Sequence, residues 1–184
     1  NFLSGELHSR ITFSRTSNAT LIGSDGTLQY APHNLLTYSE QFDNADWSKS
    51  AALILANTTT APNGTLTADS LVNNASNSAH FVRKYGMLVA DNTYTVSAYA
   101  KANTASFFGL SISGSSSNAQ IFDLSNGTLG ESTGTGTASI TSVGDGWYRC
   151  SVTAPVTTVT TNVIDLRVYT SNSFGNYIGV GESI

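Results

Sequence analysis

Charged side chains are scarce in this 184-residue chain: they make up only 11% of its residues, less than half of the share of about 25% that is usual in soluble proteins. No run of basic residues occurs, and the formal net charge is −4. Nucleic acid and anionic membranes bind clustered Lys and Arg, so we predict neither as a partner. Thr, Ser, Asn and Gly fill the gap that the charges leave. These residues form helices poorly but suit strands and tight turns.

Cysteine is almost absent as well. The single Cys150 excludes an internal disulfide and a cysteine-based zinc site. It alternates with polar residues, on the side of its segment that also carries Tyr148 and Val152, so we predict a buried, small apolar side chain. No apolar run approaches the length of about 18 residues that a membrane-spanning helix needs.

The sequence also has few groups for catalysis. Asp43 and Asp46 share one turn, and the three histidines, His8, His33 and His80, lie far apart in the chain. Glycoside hydrolysis needs two carboxylates that face each other across a bond, and no such pair is evident. We therefore predict no catalytic residues and no enzymatic activity.

The N-terminal residues 1–33 are predicted to be an arm that contains a β-hairpin. Residues 20–22 and 27–30 read as extended segments on either side of a Gly-Ser-Asp-Gly turn, and Asp-Gly between such segments is a strong hairpin signal. Residues 11–15 alternate in the same way. Pro32 cannot donate to a sheet and marks the end of the arm.

From residue 34 onward the pattern is typical of an all-β sandwich. We predict a first strand at 34–38, then a polar turn and an aromatic plug formed by Phe42 and Trp47. The strictly alternating segment 94–101 turns Val96 and its alternate neighbours to the core and Tyr99 to the opposite face. Residues 130–137 read as a loop or flat edge, with Pro155 as a strand breaker. The other predicted strands, at a spacing of 8–12 residues without a convincing helix, are 52–56, 68–72, 80–84, 106–113, 120–124, 138–143, 147–153 and 163–169, and 177–180 starts one more.

Three motifs, NLLTYSEQFDNADWSKS at 34–50, NTYTVSAYAKA at 92–102 and GDGWYRCSVT at 144–153, resemble domains carried by many virion proteins of tailed bacteriophages. The second and third are also similar to strands of family 4/9-type carbohydrate-binding modules. The resemblance implies a jelly-roll β-sandwich over residues 34–184, preceded by the hairpin arm. Because such domains usually run on through a further strand, we expect the last strand here to be cut short or completed elsewhere.

The same resemblance implies a structural protein of a phage particle: a head decoration, a fibre or a tail component on the virion surface. Its partners would be other virion proteins and copies of itself, and weak contacts to host-surface glycans would gain strength from multivalency. Two alternatives remain open: a purely structural module without a ligand, and a secreted bacterial glycan-binding module.

Aromatic rings and planar hydrogen-bonding groups bind sugars, so the predicted carbohydrate site consists of outward-facing Tyr99, Trp147, Arg167 and Tyr169. These residues could line one surface if their strands are neighbours in a single sheet. The alternatives are that Trp147 is a packing anchor under a loop, and that Arg167 forms a cross-strand pair with Asp165.

Related jelly rolls often hold a structural calcium ion, for which Asp43, Asp69 and Asp123 are candidate ligands by position only. Calcium requires six or more oxygen ligands, and the chain contains no DxDxDG run. We therefore predict no cofactor and no metal site, with a structural calcium as the alternative.

Overall fold

The computed structural model describes residues 20–22, 26–30, 34–114 and 117–184. The chain divides into two compact units, Asn1–Leu35 and Leu36–Ile184. In the first unit, strands β1 (Thr20–Ile22) and β2 (Leu28–Tyr30) pair antiparallel, so the two strands predicted around the Asp-Gly turn are present. The turn residues 23–25, the alternating segment 11–15 and Pro32 lie outside the described residues.

The second unit is built of antiparallel strands, and its described residues contain no helix. In the described part of the chain, therefore, no helix is long and apolar enough to cross a membrane. Its strands, in chain order, are β3 (Ser48–Ser50), β4 (Ala52–Thr59), β5 (Ala68–Asn73), β6 (Asn77–Ser78), β7 (His80–Tyr85), β8 (Asn92–Lys101), β9 (Phe107–Ser113), β10 (Ser117–Asp123), β11 (Thr128–Thr133), β12 (Thr137–Gly144), β13 (Trp147–Val156), β14 (Val163–Tyr169) and β15 (Tyr177–Ile178).

Two sheets face each other in a sandwich-like arrangement. One has six strands in the order β11-β10-β9-β14-β7-β3, and the other has three in the order β12-β13-β8. β13 packs against β9 and β10 across the interior. Two further pairs, β4-β5 and β15-β6, complete the unit. The prediction of an all-β sandwich is confirmed at this level.

The core lies between the two sheets and follows the period of two along each strand. In β8, Val96 and Ala100 are buried in it, whereas Tyr99 on the opposite face is 54% exposed. In β14, Ile164, Leu166 and Val168 belong to the same core cluster. The alternate residues of β14 therefore lie on the outer face of the six-stranded sheet, which is the face turned away from the core.

The predicted strand at 34–38 is wrong. Residues 37–40 form a turn, and Tyr38 has a φ of 54°, which a strand does not allow. Three successive turns follow, in which the backbone N–H groups of Gln41, Asn44 and Trp47 each donate to the carbonyl three residues earlier. Polar turn-forming residues recur throughout this stretch, and their local hydrogen bonds compete with an extended backbone.

The aromatic plug takes its predicted place. Trp47 is 1% exposed and belongs to the core cluster, and its ring meets that of Phe42 edge-on at 5.0 Å between centroids. Its Nε1–H donates to the carbonyl of Tyr38 at 2.9 Å. The turn that replaces the predicted strand is thus held against the sandwich by a tryptophan.

Pro155 does not break its strand, contrary to the prediction. β13 continues to Val156, with Pro155 opposite Thr93 of β8. The last residue of β13 that pairs with β12 is Thr153, so beyond it β13 has one neighbour only. Proline is tolerated at such an edge because one side of the strand needs no N–H donor. Residues 130–133, predicted as loop or flat edge, belong to the edge strand β11.

The C-terminal residues pair with β5. Leu71 and Ile184 exchange both of their backbone hydrogen bonds, and Ser183 forms a β-bridge with Val72. On its other side, the carbonyl of Ser183 accepts the N–H of Ala105. Residues 183 and 184 are thus paired within this unit, and the expectation that the last strand is cut short or completed elsewhere stays a prediction.

Cys150 is completely buried, as predicted, and burial raises the pKa of its thiol to about 12. Because the thiolate is the reactive form, we expect the native protein to resist disulfide-exchange reagents at neutral pH. In a colorimetric thiol titration, one thiol per chain should react promptly in denaturant and almost none without it. Prompt reaction of the native protein would contradict the buried position.

Candidate functional site

The structure divides the four predicted sugar-binding residues between two sheets. Tyr99 and Trp147 lie on β8 and β13 of the three-stranded sheet, whereas Arg167 and Tyr169 lie on β14 of the six-stranded sheet. The condition that these strands be neighbours is therefore not met. Any site built from these residues has to use one pair or the other.

Trp147 is 7% exposed, and its Nε1–H donates to the carbonyl of Thr60 at 3.2 Å. It is therefore the packing anchor that we considered as the alternative, and its ring is not an open platform. Tyr99 is exposed and lies opposite Arg149 of β13, which itself donates to the hydroxyl of Ser97 at 3.3 Å. This face offers one open ring and one guanidinium group.

The outer face of the six-stranded sheet is richer in polar contacts. Asp165 of β14 is only 1% exposed and lies between two arginines. Arg83 of the neighbouring strand β7 donates to both carboxylate oxygens, from Nε to Oδ1 and from Nη2 to Oδ2, the latter at 2.8 Å. Arg167, two residues along β14, donates from Nη2 to Oδ2 at 2.7 Å. The predicted cross-strand pair is thus wrong in one partner: Arg167 shares the strand of Asp165, and Arg83 is the residue across from it.

These contacts fix the charge state of the cluster. Burial opposes ionisation of Asp165, but the hydrogen bonds from Arg83 and Arg167 outweigh it and hold the pKa of the carboxyl below its ordinary value. The hydrogen bond to Asp165 raises the pKa of Arg83 above its already high value. At neutral pH the cluster therefore contains two guanidinium cations and one carboxylate.

Aromatic rings hold both guanidinium groups. The Cζ atom of Arg83 lies 4.3 Å from the ring centroid of Phe81, and that of Arg167 lies 5.2 Å from the same centroid. The ring of Tyr85, 5.7 Å from Arg83, is 54% exposed at the end of β7. Arginines that aromatic rings and a carboxylate already hold in place lose little further freedom when they bind a ligand. We call Phe81, Arg83, Asp165, Arg167 and Tyr85 the arginine face.

Tyr169 borders this face and fills space that a glycine leaves. A Cβ atom at Gly109 would lie 2.6 Å from Cε2 of Tyr169, so the ring packs directly over the backbone of β9. Phe174 meets the ring edge-on at 5.9 Å between centroids. The N–H of Phe174 donates to the carboxylate of Glu131 on β11 at 2.7 Å, and Asn172 accepts the N–H of Glu131 at 2.6 Å. The loop after β14 thus forms a rim, and Tyr169, which is buried, supports it.

Two buried polar atoms on this face lack a hydrogen-bond partner in the described structure: the hydroxyl Oγ of Ser111 and Nε of Arg167. Ser111 of β9 lies directly opposite Asp165 in the register of the two strands. Buried polar groups are almost always satisfied, so a pair of exceptions in one place calls for a water molecule or a ligand group. Both exceptions coincide with the arginine cluster.

The candidate calcium ligands do not converge. Asp69 accepts the backbone N–H groups of Phe42 and Asn57, at 2.9 and 3.0 Å. The carboxylate of Asp123 accepts bonds from Ser125 and Asn126 in its own turn, which lowers its pKa although burial opposes this. In the described ranges no group of three or more His, Cys, Asp or Glu side chains could hold a metal ion.

Sequence reasoning missed Phe81, Arg83 and Tyr85 as members of the site. The predicted strand 80–84 places Phe81 and Arg83 on one of its faces, and the observed strand β7 extends to Tyr85 on the same face. The sequence does not show, however, that β7 is the neighbour of β14, because about 80 residues separate them in the chain. Ser111 carried no sequence signal of its own.

No protein-family model matches this chain, and no curated protein matches it.

Proposed function

We propose that the chain is a carbohydrate-binding-like jelly-roll domain of a structural protein on the surface of a tailed-phage particle, and that its arginine face holds host-surface saccharides. The observation that carries this proposal is the concentration of sugar-binding groups on one outer sheet face. Two oriented guanidinium groups, the exposed ring of Tyr85 and the partnerless hydroxyl of Ser111 lie there together. The role is binding, not catalysis.

The chemistry of a sugar matches these groups. Pyranose rings present apolar C–H faces that pack on aromatic rings, and their hydroxyl and ring oxygens accept hydrogen bonds from planar donors. Each guanidinium group has five N–H donors. The bonds to Asp165 use two of those of Arg83 and one of those of Arg167. Arg83 also interacts with the hydroxyl of Tyr85, and Arg167 with that of Tyr169. The five N–H groups of each guanidinium still leave donors for a ligand, and the buried Asp165 keeps them oriented.

Weak single-site binding suits a particle that displays many copies. One shallow face with a few hydrogen bonds gives low affinity, and simultaneous attachment of several copies raises the overall affinity by orders of magnitude. A symmetric oligomer of this domain, docked on other virion proteins through its N-terminal arm, would provide such an arrangement.

Two exposed tyrosines give a matched test of this proposal. Tyr85 and Tyr99 are both 54% exposed, and they lie on the outer faces of different sheets. We expect the full chain to bind immobilised glycans and host cells, with Tyr85→Ala weakening binding about tenfold through loss of ring contact and Tyr99→Ala leaving it unchanged. Binding lost only in Tyr99→Ala would move the site to the three-stranded sheet. No binding to any glycan or host surface would overturn the adhesive function.

A purely structural role is the second candidate, and one observation favours it. The edge strand β4 exposes Leu53 and Leu55, which are 57% and 45% exposed on the same side of the strand. An exposed apolar edge strand is suited to pairing with another chain, including a second copy of this one. A domain that assembles through β4 without binding glycans would fit this candidate.

A further inference from the structure

We infer that the arginine face selects acidic saccharides, with the carboxylate of a uronic-acid residue bound by Arg167 and Arg83 beside Ser111. This inference rests on the proposed function and adds the substrate class. A neutral sugar needs donors and a ring platform only. The arginine face carries in addition an excess of positive charge and partnerless donors, and both are suited to an anion.

The charge excess follows from the ion pairs. Arg83 and Arg167 both pair with the same carboxylate, and in the described part of the chain Asp165 is the only acid within ion-pair distance of either one. The next acid at this face is Glu131, which is exposed at the rim and binds the N–H of Phe174. Arginine cannot release its proton to relieve the imbalance. One positive charge of this partly buried cluster is therefore left to attract an anionic ligand.

The partnerless atoms lie where a carboxylate would complete the hydrogen bonding. Within the described residues, Nε of Arg167 is a donor without an acceptor, and the hydroxyl of Ser111 on the neighbouring strand has no partner. Arg167 already gives Nη2 to Asp165, so a second carboxylate takes other N–H groups of the same fork. Both atoms are buried, although the Arg167 side chain as a whole is 27% exposed. A ligand that reaches them therefore has to displace some of the groups that pack over Arg167.

The shape of the cluster favours a planar anion. Both guanidinium groups contact the ring of Phe81, which restrains their positions. Planar forks match the two oxygens of a carboxylate, in paired and nearly parallel hydrogen bonds. Tyr85, at the edge of Arg83, remains open to the sugar ring that bears the carboxylate.

The test compares each acidic oligosaccharide with its own carboxyl-reduced form. Galacturonate, glucuronate and mannuronate oligomers, each beside the reduced and therefore neutral counterpart, would be titrated against the full chain by calorimetry. We expect at least one acidic oligomer to bind about tenfold or more tighter than its counterpart, with a preference that declines as salt rises. Equal or tighter binding of the reduced forms would overturn the inference and leave the proposed function intact. Binding to no glycan at all would overturn both.

Two arginine variants locate the effect. Arg167→Lys keeps the positive charge and can still reach Asp165, but it lacks the planar guanidinium fork. We expect the preference for the acidic oligomer to fall to about twofold or less, and the melting temperature to change little. Arg149→Lys on the three-stranded sheet is the matched control and should behave like the wild type. Sulfated oligomers that bind tighter than the carboxylated ones would contradict the planar-carboxylate site, as would an acid preference that survives in Arg167→Lys.

Discussion

Replacing Trp47 by alanine should lower the free energy of unfolding by about 3–5 kcal/mol, the usual range for a buried tryptophan. The side chain is 1% exposed, packs edge-on against Phe42 and belongs to the core cluster. Its loss removes core packing and the anchor of the turn at 37–47 together. Chemical denaturation in urea, followed by circular dichroism, would measure the change.

Trp47→Phe separates these two contributions. It retains a ring near Phe42 but loses the hydrogen bond from Nε1 to the carbonyl of Tyr38. We expect it to cost clearly less than the alanine variant, by about the difference between a full cavity and a smaller cavity with one unmade hydrogen bond. If the two variants were equally destabilised, the hydrogen bond to Tyr38 and not the packing would determine the role of Trp47.

The sequence allowed most strands of the larger unit to be predicted, because apolar and polar residues alternate cleanly in segments such as β8. The error at 34–38 comes from a contact with a residue outside that segment. The apolar pair Leu35 and Leu36 suggests extension, but Tyr38 takes a positive φ and opens a chain of turns. The hydrogen bond from the indole of Trp47 to the carbonyl of Tyr38 stabilises this turn. A tertiary contact of this kind is not visible in a local sequence pattern.

The candidate site could be predicted from the sequence only in part. Alternation correctly placed Tyr99 and Arg167 on outward faces, yet it could not tell which sheet each face belongs to. That depends on strand order, and β14 pairs with β7 and β9, its partners from far earlier in the chain. Trp147 shares the outward face of β13 with Arg149, but it is buried and donates a hydrogen bond to the carbonyl of Thr60. Strand order and the burial of an outward-facing side chain depend on long-range packing, so they could not be predicted from the sequence pattern alone.

Asp165→Asn should be as destabilising as the loss of Trp47, by about 3–5 kcal/mol, because it leaves two partly buried guanidinium groups without their carboxylate. Asp43→Asn is a suitable control: the contact of Lys49 at that residue is with its backbone carbonyl and survives the change. We expect the control to stay within about 0.5 kcal/mol of the wild type. A loss of less than 1 kcal/mol in Asp165→Asn would contradict a buried, oriented ion cluster.

The same cluster predicts how stability depends on pH. The pKa of Asp165 is lowered in the folded state, so the stability it contributes is present above its unfolded pKa of about 4 and is lost as pH falls below that value. Asp165→Asn lacks this contribution at every pH, so the difference in unfolding free energy between wild type and variant should shrink as pH falls below about 4. A difference that stays constant down to pH 2 would mean that the carboxylate is not held by the two arginines.

Replacing the whole cluster by apolar residues tests why such a cluster exists. In Arg83→Met/Asp165→Leu/Arg167→Met no charge is left unpaired, and buried ion clusters replaced in this way often keep or gain stability. We expect unfolding free energy near that of the wild type, together with loss of glycan binding. Such a result would show that apolar residues support the fold as well as the ion cluster does. The two arginines and Asp165 would then serve to recognise a ligand and not to stabilise the fold.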